Sequence, residues 1–173
     1  MSDTGAKVCA TVESSAWTVA VTTTRINTSD NSDAQATGTS YLEAQISDFS
    51  FGIPSGSTIN GISIAAEFAV GAAAGPTAYL RLSLSYNDGA NWTATKEDSN
   101  DSDVDVVRTY GGASDTWGRT WSDSEFANGF FRLKLEGKSN NASYHCDLDY
   151  LTVTVYYTPS GGAPDTSKLF IMF

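Results

Sequence analysis

The chain has 173 residues, enough for one domain with a substantial apolar core and too few for two. Its 10 basic residues stand against 20 acidic ones, a net charge of −10, and the basic residues are spread singly from Lys7 to Lys168. With no positive patch to meet phosphates, nucleic-acid binding is disfavoured. A 40% hydrophobic and only 17% charged composition, rich in Ser and Thr, suits a β-prone protein with a polar, weakly charged surface.

Residues 1–15 (MSDTGAKVCATVESS) lack the basic start and apolar run of a secretory signal, so synthesis in a cytoplasm is expected. Strands are predicted wherever apolar residues recur at every second position, because successive side chains of a strand point to opposite faces. In chain order, weak strands fall at residues 8–12 and at 17–23, the latter with Trp17, Val19 and Val21 on one face. Residues 28–40, rich in Ser, Asp, Thr and Gly, read as a loop, and residues 41–51 as a further weak strand. The segment 49–68 (FSFGIPSGSTINGISIAAEF) stops at Ile53-Pro54-Ser55-Gly56 and restarts with Ile62, Ile64, Ala66, Phe68 and Val70 alternating.

The clearest alternation follows. Leu80, Leu82, Leu84 and Tyr86 share one face, with Tyr79, Arg81, Ser83 and Ser85 on the other, and Asn87-Asp88-Gly89-Ala90-Asn91 supplies a tight reversal. Residues 96–105 read as an acidic loop, 104–109 as a short edge strand, and 122–128 as the best place for a single helical turn. Phe131, Leu133 and Leu135 oppose Arg132, Lys134 and Glu136 in a core strand. In the last strand the inward parity passes from Tyr144, Cys146, Leu148 and Tyr150 to Leu151, Val153, Val155 and Tyr157, which predicts a β-bulge near Asp149-Tyr150. The fold expected is all-β: an antiparallel β-sandwich of about eight strands, jelly-roll-like, over residues 1–158, with a Gly/Pro linker and extended apolar tail over 159–173.

Residues that could carry chemistry each have a plainer reading. His145 adjoins Cys146, but neighbours in a strand point apart, so a catalytic pair is not indicated and a structural or surface histidine is favoured. No phosphate-cradling loop, HExxH or GxSxG is present, and no cofactor is implied. Cys9 and Cys146 lack metal-ligand spacing. Two free thiols are favoured over a bond between them.

The acidic run from Glu97 to Asp105 offers oxygen ligands of the kind calcium takes, but without the Gly and terminal Glu of a calcium loop it reads first as a solvated segment, so no metal is assigned. Trp92, Tyr110, Trp117 and Trp121 either stack on sugar rings or, the favoured reading, pack in the core or rim. Leu169, Phe170, Ile171, Met172 and Phe173 form five contiguous apolar residues, far short of the roughly 20 needed to span a bilayer. Such a segment must be buried, against a neighbouring subunit or, as the alternative, on its own sandwich.

Three blocks, residues 49–68, 110–121 (YGGASDTWGRTW) and 148–158 (LDYLTVTVYYT), resemble those of β-sandwich structural proteins of tailed bacteriophages, in which F.F.IP.G.TI.GI, GG..D.WG.TW and a closing D.l.vtVyYt strand recur. The resemblance implies a non-enzymatic virion component: a decoration or cement protein on the capsid exterior, bound to other virion proteins, a homo-oligomer being one form it can take. Its alternative is a glycan-binding adhesive module of a tail or fibre, using Trp92, Tyr110, Trp117 or Trp121. A glycoside hydrolase or lyase on the same fold is a poorer third reading.

Overall fold

A computed structural model describes residues 1–71 and 75–161. Among them ten strands form: β1 (Ser2–Asp3), β2 (Thr11–Ser15), β3 (Ala34–Thr37), β4 (Leu42–Ser47), β5 (Thr58–Val70), β6 (Ala78–Ser85), β7 (Lys96–Asn100), β8 (Val106–Gly112), β9 (Arg132–Ser139) and β10 (His145–Thr158). One helical turn, α1 (Thr23–Ile26), and one 3-10 turn (Asp123–Phe126) interrupt them. The expected apolar tail, Leu169 to Phe173, lies outside the described residues. No helix of the described residues is long and apolar enough to cross a membrane.

The strands build two antiparallel sheets that face each other in a jelly-roll-like β-sandwich. The first sheet has the order β1, β10, β5, β8, with β3 also paired to β10; the second has the order β2, β4, β9, β6, β7. Period-2 alternation decides what lies between them. Ile62, Ile64, Ala66 and Phe68 of β5 and Leu148, Leu151, Val153 and Val155 of β10 meet Leu80, Leu82 and Leu84 of β6 and Leu133 and Leu135 of β9, all buried. Each such side chain contributes roughly 1.5 to 3 kcal/mol on burial, so these rows dominate the stability of the fold.

The parity switch in β10 is accommodated as its sequence predicts. The register with β5 shifts between Leu148 and Tyr150, and the carboxylate of the intervening Asp149 accepts the Ser32 N–H at 3.1 Å. The reversal before β5 is closed by Ser57, whose N–H and hydroxyl both donate to the Pro54 carbonyl, at 3.2 and 2.6 Å. The 3-10 turn falls inside residues 122–128 and carries a capping box between Ser122 and Glu125.

Four segments differ from the sequence reading. Residues 17–23 do not form a strand, because the Ser15 hydroxyl accepts from the N–H groups of both Trp17 and Val21 and folds the chain back; only Val19 bridges, to Gln35. The first of the weak strands begins later, at Thr11. The polar stretch 28–40 is not all loop, since its small Ala34 and Ala36 let β3 lie on the edge of β10. Along the same edge β1, Lys7 and Asn27 pair with other parts of β10, so N-terminal segments cover it in turn.

The acidic run is likewise a strand as far as Asn100. β7 pairs with β6, its Glu97 meets Arg81, and the buried Asn100 side chain donates to the Phe68 carbonyl at 2.7 Å, stitching one sheet to the other.

Candidate functional site

Of the four aromatic residues singled out for sugar stacking, three are core. Tyr110 is buried and its hydroxyl donates to the Leu80 carbonyl at 3.2 Å. Trp117 is buried in the return loop after β8, its indole N–H donating to Ile62 O at 3.0 Å. Trp121 donates to Thr116 O at 2.7 Å and packs at one end of the sandwich with Phe126 and Phe131, ring centroids 5.2 and 6.0 Å away. Phe49 and Phe51 complete that plug. A ring enclosed on both faces has none left for a ligand, so the stacking role does not hold for Tyr110, Trp117 and Trp121. Trp92 is half-buried, bridged to Ser85, with the Lys134 amine 4.8 Å over its ring.

A different set of aromatics lies on the outer face of the second sheet. Register puts Arg81 of β6 opposite Glu136 of β9 and Glu97 of β7, and Tyr79 opposite Lys138 and Ser99. Since Leu80, Leu82, Leu133 and Leu135 point into the core, these polar and aromatic side chains point outward. Tyr41, just before β4, joins them. The Arg81 guanidinium lies 3.8 Å over the Tyr41 ring and its Nε donates to Glu97 at 2.6 Å, while the Tyr41 hydroxyl donates to the same carboxylate. The Lys138 amine sits 4.4 Å over Tyr41 and 5.0 Å over Tyr79.

The electrostatics follow from this packing. The hydrogen bond from Tyr41 is the main reason the Glu97 carboxyl is held below its ordinary range, with Arg81 adding to it. Partial burial, then the hydrogen bond to Glu97, pushes the Tyr41 hydroxyl upward. Glu97 is therefore an ionised acceptor and Tyr41 a fixed, neutral ring at neutral pH. Half-exposed rings set among acceptors and cations match the two sides of a sugar, which has apolar C–H faces and a rim of hydroxyls.

Elsewhere the chemistry is thinner. A depression of about 260 Å³ at the aromatic end, lined in part by Ile53, Ser55, Asp123 and Phe126, is smaller than the roughly 300–1,000 Å³ of typical small-molecule sites. Its Asp123 carboxylate already accepts the Gly56 N–H at 3.1 Å. On the first sheet, Asp33, Asp105, Asp147 and Asp149 interact through their charges. Burial first, then Asp147, Asp105 and Asp149, pushes Asp33 up to about 6. Among the described residues no group of three or more His, Cys, Asp or Glu is placed to hold a metal ion.

His145 contacts the Asp147 carboxylate at 2.5 Å, whereas Cys146 is fully buried on the opposite side with its thiol pushed upward by desolvation. No nucleophile and base face each other there. Cys9 is likewise a free, buried thiol, pushed up to about 11 by burial.

No protein-family model matches the chain, and no curated protein matches its sequence. Several solved structures superpose on most of it, among them two with TM-scores above 0.5. One is the CBM32 of AlyQ in complex with 4,5-unsaturated mannuronic acid, 14% identical, with a TM-score of 0.52 over 86% of this chain and 96% of that one. The likeness establishes the fold. The other, truncated AlyQ with CBM32 and alginate lyase domains, is 13% identical with a TM-score of 0.53; 90% of this chain matches but only 34% of that one. The chain thus shares the β-sandwich fold of that CBM32 domain. Neither comparison links it to a phage particle, and the blocks behind that resemblance prove to be fold-building positions, with Pro54, Trp117, Trp121 and the β10 strand holding the sandwich together.

Proposed function

We propose that the protein is a non-catalytic glycan-binding module whose binding surface is the outer face of the second sheet. One observation carries the reading: Tyr41 and Tyr79, both half-exposed, flank the Lys138 amine beside the hydrogen-bonding pair Arg81 and Glu97. The open sheet places this group where an extended chain can lie across several strands, with the half-exposed Tyr79 ring for stacking, the Tyr41 ring, already covered by Arg81 and Lys138, holding the amine in place, and ionised groups for hydroxyls. The fold likeness to a module solved with a sugar acid supports the reading by analogy. The resemblance of the three sequence blocks carries the further proposal that such a module serves as an adhesive part of a phage tail or fibre. Nothing in the structure adds to attachment on a capsid exterior.

The test is depletion of the full-length protein from solution by insoluble and gel-embedded polysaccharides. The reading expects retention by at least one polymer, a loss of about tenfold or more in affinity for Tyr41→Ala or Tyr79→Ala, and no release of reducing ends. Retention unchanged in both variants would place binding elsewhere.

A further inference from the structure

We propose that this face selects an acidic glycan, with Lys138 reading the carboxylate of a uronic-acid unit; the inference rests on the glycan-binding reading above and narrows it to one ligand class. The charge inventory of the face points there. Its other cations already have carboxylate partners: Arg81 has Glu97 at 2.6 Å, Arg132 has Asp88 at 2.5 Å, and Lys134 has Glu43 at 3.9 Å. Among the described residues, Lys138 makes no ion pair within 4.0 Å, although its charge reaches the Glu97 carboxylate through space. Its amine is instead held over two tyrosine rings.

A cation in that position is partly stripped of water and attracted by the negative faces of both rings, which fixes it in place without neutralising it. The ligand group it lacks is an anion. Lysine is a compact point charge with three donors, suited to one carboxylate rather than to a planar bidentate partner. The register adds the rest of the site. Tyr79 stands directly opposite Lys138, so a pyranose resting on the tyrosine ring brings a carboxylate on that sugar within reach of the amine. Glu97, Glu136 and Ser99 border the pair and accept from hydroxyls.

A neutral sugar uses the rings and the acceptors but leaves the amine unpaired. A uronate uses all three. The net charge of −10 works against any polyanion at long range, so such binding must be local and strongly weakened by added salt.

The experiment compares polygalacturonate, alginate and hyaluronate with the same polymers after reduction of their carboxyl groups to primary alcohols, using the full chain, Lys138→Gln and Lys138→Arg. The expected result is preference for the acidic form of at least one polymer, weakened by salt. Lys138→Gln should lose about tenfold on that form, with little change on the reduced one, and Lys138→Arg should recover part of the loss. Equal affinity for acidic and reduced polymers, or a Lys138→Gln variant that keeps the preference, overturns the inference while leaving glycan binding standing. Absence of binding to both classes by the folded protein overturns the inference, and absence of retention by every polysaccharide of the depletion test as well overturns the glycan-binding reading with it.

Discussion

Asp33 shows how far a single carboxyl can be displaced by its surroundings. Among the described residues its Oδ1 is buried without a hydrogen-bond partner, and Asp105, Asp147 and Asp149 face it, while the charge of His145 lowers its pKa. Because its folded pKa, about 6, lies above the ordinary value of 3.8, the folded state binds the proton more tightly than the unfolded one. The stabilisation is complete below about pH 4 and is lost as pH rises through about 6. Asp33→Asn should therefore raise the melting temperature at pH 7.5 and make little difference at pH 4, as thermal unfolding across that range would show. An equal shift at both pH values would mean that charge is not the cause. Tyr79 makes the complementary point about legibility. Alternation alone places it outward beside Arg81, and places Arg132, Lys134 and Glu136 outward in a second strand. That β6 and β9 are neighbours is a tertiary fact no local pattern contains, and the site depends on it.

At the scale of elements, long strands are readable and edges are not. β5, β6, β9 and β10 are buried on one face or both, so their hydrophobic rows repeat at every second residue. β3 and β7 carry Gln, Thr, Asp, Ser and Asn, and their composition mimics a loop because an edge strand needs only a partner for its backbone on one side. Gly61 and Gly111 allow the return loop after β8 to lie directly against β5, and a Cβ on Gly111, at φ +77°, would press into the Ile62 carbonyl and come within 2.7 Å of the Trp117 indole nitrogen. Gly111→Ala should cost about 2 kcal/mol or more, from backbone strain and the broken indole hydrogen bond. Urea unfolding followed by tryptophan fluorescence measures it; a change under about 0.5 kcal/mol, typical of an inert surface site, would contradict this account of the loop.

For the whole molecule, the sandwich leaves one sheet face structured for contact. The first sheet is wrapped along its β10 edge by N-terminal segments, while the second turns outward a row of side chains held by ion pairs and ring contacts. Fold class follows from hydrophobic periodicity; the proposed site follows from which outward rows become neighbours, and aromatic residues near turns mislead because Trp117 and Trp121 are spent on closing the structure. The central claim is that glycan is bound on the outer face of the second sheet, and the most direct measurement is the backbone amide spectrum of the isotope-labelled protein titrated with an oligosaccharide of a polymer that retains it. The account predicts shifts concentrated at Tyr41, Tyr79, Arg81, Glu97 and Lys138. Shifts gathered instead around Ile53, Ser55 and Asp123, with that group unmoved, would contradict it.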